Sequence, residues 1–161
     1  MLYQTDPALG PYINEFGCLF CDILKKVEKR TRPDKPFGAD EILAIYKSGM
    51  QTGIIGQEQA DADGNPASGC YINDLNALLR LAGAGNAQFQ INPGSSDIFW
   101  PVGSQPDSNE EIIERWHNDR TGFTHFVCGA PDGSVEWDPI EGGSVTVREG
   151  SPNAYNLIQF V

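Results

Sequence analysis

The chain has 161 residues, 40% of them hydrophobic, and carries a net charge of −11. That length suits one domain around one core, spanning 1–161. The charge argues against unaided binding to nucleic acid or to an anionic membrane surface, both of which take clustered Lys and Arg.

The first residues hold no basic segment followed by an apolar core, and no apolar run reaches the roughly 18 residues of a membrane span. The expected location is therefore cytoplasmic, where the four cysteines read as reduced thiols, free for catalysis or metal binding.

Asp6-Pro7, Gly10-Pro11 and Gly17 break any regular pattern, so an irregular lead-in is expected. A helix is predicted from Cys18 to Arg30, with Phe20, Ile23, Leu24 and Val27 as its core-facing stripe. Cys18 falls nearly opposite that stripe, at the helix N-terminus, where the macrodipole favours a thiolate. It is thus a candidate nucleophile. Lys25, Lys26, Lys29, Arg30 and Arg32 read as last-turn cations complementing the same dipole.

A second helix is predicted over Ala39 to Lys47 and a third over Asn73 to Leu81, with a polar, glycine-rich loop between them. Within that loop, Asp61-Ala62-Asp63-Gly64-Asn65 resembles the opening of a calcium loop. Pro66 at its sixth position and Ile72 at its twelfth do not fit one.

From residue 87 the period changes. Strands are predicted at 87–91 and 97–100, a short helix at 109–116 capped by Asp107 or Ser108, and further strands at 122–128, 134–138, 144–148 and 156–161. Helices over about 12–83 followed by a sheet over about 87–161 make an α+β class with an antiparallel sheet.

Of the two histidines, His117 sits among polar residues, whereas His125 lies inside a strand between Thr124 and Phe126-Val127 and calls for a partner there. The Pro131-Asp132-Gly133 turn supplies one. A four-residue loop sets His125 opposite Asp138, and a two-residue loop makes them diagonal neighbours on one face; a three-residue loop would part them. Cys18, His125 and Asp138 then form a nucleophile, its base and an orienting acid. A zinc site using Cys18-x-x-Cys21 and His125-x-x-Cys128 is the rival reading, disfavoured because His125 and Cys128 face opposite sides of a strand.

Gly17-Cys18 opening a helix, Thr124-His125-Phe126-Val127 far downstream, and Trp137-Asp138-Pro139-Ile140 in the next strand together resemble the papain-like cysteine peptidase superfamily. Within it they are most like the bacteriocin-leader peptidase type and its bacterial and phage relatives. The resemblance implies a helical part carrying the nucleophile, packed on an antiparallel sheet, and hydrolysis of a peptide or amide bond through a thioester acyl-enzyme without a cofactor. Cys18 would be nucleophile, His125 base and then acid, Asp138 the orienting residue, and a peptide or protein the substrate.

The chain departs from the family at the oxyanion hole. Tyr12 stands where a glutamine is usual, six residues before the cysteine, so Asn14 is the expected side-chain donor beside the Cys18 backbone N–H. A catalytically degenerate protein that binds a peptide or protein partner is the alternative this departure leaves open.

Overall fold

The computed structural model describes residues 1–161 as an α+β fold. A 3₁₀ turn at Pro7–Leu9 leads into α1 (Pro11–Phe16), then α2 (Cys18–Thr31) and α3 (Ala39–Thr52). A small hairpin of β1 (Gln59–Ala60) and β2 (Pro66–Ser68) precedes α4 (Leu75–Leu81), capped by Asp74 through the Ala77 N–H. The second half holds β3 (Gln88–Phe89), β4 (Glu110–His117), β5 (Thr124–Gly129), β6 (Val135–Trp137), α5 (Val145–Glu149) and β7 (Ser151–Gln159). The last five strands form one antiparallel sheet in the order β3-β7-β4-β5-β6. No helix is long and apolar enough to cross a membrane.

The lead-in is more ordered than its prolines suggest, because Pro7 and Pro11 each occupy a first helical position, where a missing N–H costs nothing. The helix predicted over Ala39 to Lys47 is α3, and it runs on through Ser48-Gly49 to Thr52. Ile55 lies so close that a Cβ on Gly49 would fall 2.6 Å from its Cδ1, and the helix ends instead at Gly53, whose φ of +79° provides the left-handed cap. In the polar loop, Asp61 spends Oδ1 on the Asp63 and Asn65 N–H groups, closing the β1–β2 turn.

Two elements differ in kind from the sequence expectation. Residues 109–116 are not a helix but most of β4, a central strand. Ile113 and Glu111 point to the helices while Ile112 and Glu114 point to the other face, so both faces are buried and no apolar/polar alternation marks the strand. Residues 144–148 are not a strand; Ser144 caps α5 by accepting the Val147 N–H. The 97–100 segment contributes only bridges, Asp97 with Asn92 and Trp100 with Tyr155.

The central element is α2. Its apolar stripe, Phe20, Ile23, Leu24 and Val27, is fully buried in the main core with Leu78 and Leu79 of α4 and Ile42 of α3. Its other face is buried too, against β4 and β5. Lys26, expected among the last-turn cations complementing the helix dipole, is fully buried, with Nζ bonded to Glu111 at 2.9 Å, Glu136 at 3.2 Å and the Gly129 carbonyl at 2.9 Å. Lys29 and Arg30 close on the same Glu111. Burial raises the Glu111 carboxyl, but the bonds from Lys29, Lys26 and Arg30 outweigh it and bring the group down to about 2.

Candidate active site

Gly17 separates α1 from α2, with its N–H on the Ile13 carbonyl and its own carbonyl taking the Cys21 N–H. Only a glycine fits, since a Cβ there would lie 2.5 Å from the Ile13 oxygen. The junction leaves Cys18 as the first residue of α2, half-buried at the wall of an open groove of about 510 Å³. Phe16, Leu19, Tyr71, Ile72, Ile98 and Phe126 give that groove its apolar lining.

On the facing sheet, Cys128 pairs with Trp137, which sets Asp138 level with Val127, one step diagonal from His125 and on the same face. The turn at Ala130–Gly133 and a bulge beside Gly129 fix that register, with Gly133 at a φ of +87° that favours glycine. His125 Nε2 lies 2.8 Å from Asp138 Oδ1, and both side chains are about nine-tenths buried. The Ile140 N–H donates to the same oxygen and the Ser144 N–H to Oδ2, both at 2.9 Å. Burial raises the Asp138 carboxyl, but these three donors overcome it and leave the group below the ordinary aspartate range.

No hydrogen bond joins Cys18 to His125 or Asp138; the thiol shares its groove with Phe126, the residue next to His125, and the backbone N–H groups of Phe126, Leu19 and Cys18 favour its charged form. His125 Nδ1 makes no hydrogen bond within the chain, and His125 alternates along β5 with Thr124 and Phe126, which line the groove beside Cys18 while the imidazole does not. Helix-end effects do not win at the thiol. Burial is the largest influence and outweighs the neighbouring backbone N–H groups, so the thiol is pushed up, to about 12 when Asp22 carries its charge. The lowered thiol expected from helix position alone is corrected accordingly.

The expected oxyanion residues sit elsewhere. Asn14 spends both amide hydrogens, on the Gln4 carbonyl at 2.7 Å and the Asp6 carbonyl at 2.9 Å, and has none left for a substrate. Tyr12 lines a different hollow, with Leu43, Tyr46 and Met50. Gln4 instead ties the Asn14 segment to Pro139, the residue after Asp138. Its N–H bonds the Pro139 carbonyl at 2.8 Å, its Nε2 bonds the Asn14 carbonyl at 3.1 Å, and its buried Oε1 has no partner. Gln4 stands fourteen residues ahead of Cys18 instead of six, and only the Gln4-Thr5-Asp6-Pro7 turn marks in the sequence that the chain folds back there.

The zinc spacing does not converge either. Cys128 turns away from His125, with its thiol on the Asp22 carbonyl at 3.5 Å and on Asp22 Oδ1 at 3.6 Å. No group of three or more His, Cys, Asp or Glu side chains is gathered as a metal site would need. Compared with known proteins, the chain matches no family model, no curated protein and no solved structure.

Proposed function

We propose that the protein is a papain-like cysteine hydrolase, cleaving a peptide or other amide bond. The observation that carries this reading is the His125–Asp138 pair at 2.8 Å, with His125 on β5, the strand against which the Cys18 helix α2 packs. Cys18 attacks the substrate carbonyl carbon as its proton passes to His125 Nδ1, and the carbonyl oxygen gains the negative charge. His125 then gives that proton to the leaving amine as the C–N bond breaks, leaving a thioester on Cys18. Water, deprotonated by His125, releases the acid and restores the thiol. Asp138 holds the ring and balances the imidazolium between these steps. The Cys18 backbone N–H, unpaired at the helix start, and the amide of Gln4 are the donors for the oxyanion. The apolar groove beside Cys18 receives part of the peptide or protein substrate.

A thiol raised to about 12 favours a second reading, a degenerate relative that binds a peptide or protein in the same groove without cleaving it. Iodoacetamide labelling of Cys18 across pH, read by mass spectrometry, separates the two. Base-assisted chemistry gives labelling well below about pH 8 that disappears in His125→Ala; a midpoint at or above about 8.5, unchanged in that variant, leaves only the binding reading.

A further inference from the structure

Cys18, Asp22 and Lys26 recur at four-residue intervals and so form one row along α2. Asp22 and Lys26 are both fully buried, and their fates differ. Lys26 is surrounded by Glu111, Glu136 and the Gly129 carbonyl, whereas Asp22 has only the Cys128 thiol on Oδ1, and its Oδ2 has no partner. The cation one turn away is already committed to other carboxylates. A carboxylate oxygen left bare in a dry interior is costly, while the protonated form carries no charge to solvate.

The titratable groups around Asp22 are Cys18, Cys21 and Lys26 on its own helix, Cys128 on β5, and Asp138 beyond β6. Resting on the reading of Cys18, His125 and Asp138 as the reacting set, we propose that Asp22 is a positioning residue. It is a buried carboxylic acid, protonated while the protein works, that seats the nucleophile's helix on β5 and spares Cys18 and Asp138 a third negative charge beside them. Burial holds its carboxyl well above the ordinary range, Asp138 pushes the same way, and Cys128 and Lys26 only partly oppose.

Asp22→Asn, which mimics the protonated acid and cannot ionise, tests this in two ways, neither of which needs hydrolysis. A folded-state acid with a raised pKa contributes its full stability below the unfolded value near 3.9 and loses it as pH rises. The urea midpoints of wild type and D22N should therefore draw apart in favour of D22N as pH increases from about 4 to 9, while the Cys18 alkylation midpoint stays within about half a pH unit of wild type. Parallel stability profiles, or an alkylation midpoint lowered by about one unit or more, mean that Asp22 is ionised and overturn the proposal. If D22N does not fold, carbon-13 NMR of wild-type protein labelled at the aspartate side-chain carboxyls decides. One resonance should keep its protonated position above about pH 6, and titration of every aspartate below about pH 5 overturns the proposal.

Discussion

His125 Nε2 and Asp138 Oδ1 meet at 2.8 Å across a hairpin of thirteen residues' separation, and the same carboxylate ties down the backbone at Ile140 and Ser144. Asp138→Ala should therefore do two things. It should lower urea stability by about 2–4 kcal/mol, as loss of a charged hub with several donors does, and reduce Cys18 alkylation at neutral pH by releasing the imidazole. Because the Asp138 carboxyl is depressed in the folded protein, its stabilisation is present above the unfolded aspartate value near 3.9 and fades as pH falls below it. Denaturation curves taken at about pH 6 and pH 3 should differ more for wild type than for the variant.

Gln4→Ala separates alkylation from acyl transfer. Iodoacetamide displacement builds no oxyanion, so the labelling rate of Cys18 should change less than about threefold. Turnover of an amide substrate should drop about 10²–10³-fold in kcat, the usual loss for one oxyanion donor. Equal losses in both assays would assign Gln4 to holding the Asn14 and Pro139 segments together, and to nothing beyond that.

Glu111 supplies an acid-range signature distant from the groove. With its folded pKa at about 2, its contribution is complete above the ordinary glutamate value and is lost as pH falls from about 5 toward 2. Glu111→Gln should flatten that part of the stability profile. Lys26→Met, which strips Glu111 of one of its three cations and leaves the Gly129 carbonyl without its donor, should cost about 3 kcal/mol by urea denaturation and respond little to added salt.

Gly17→Ala should shift the α1–α2 junction, since the new methyl group meets the Ile13 carbonyl at 2.5 Å. A loss of about 1–3 kcal/mol is expected, with a slower Cys18 alkylation rate as the thiol shifts relative to β5. Retention of the wild-type rate would show that the position of Cys18 is set from β5 alone.

Local patterns sufficed for the helices that bury one apolar stripe, for the class of fold and for the His125–Asp138 hairpin, where turn residues and a period of two agree. They failed where tertiary contacts decide. Glu111 and Lys26 each look solvated in isolation and become buried only because they meet each other, 85 residues apart in the chain. The same burial hid β4, whose Ile112-Ile113 between glutamates fits a helix start as well as a strand with two covered faces. Val145 and Val147 favoured a strand, but Ser144 is held through its N–H by Asp138 and is placed to cap a helix. At the site, the position of Cys18 was readable from its helical phase. The groove it borders was not, because the other walls come from the Gly69–Ile72 segment, from Ile98 and from β5.

The order β3-β7-β4-β5-β6 also dictates how the molecule can be assembled. The β4–β5–β6 meander can zip through neighbouring hairpins, but β3 has no place to dock until β7, some forty residues beyond β4 and seventy beyond β3, slides between them. Until that moment Ile113 and Ile158 cannot share the core, and α2 has only part of a floor beneath it. Late, long-range closure of this kind is slow. The groove beside Cys18 gains its Asn156 wall only when β7 takes its place between β3 and β4, so a chain without that strand in the sheet lacks the complete groove.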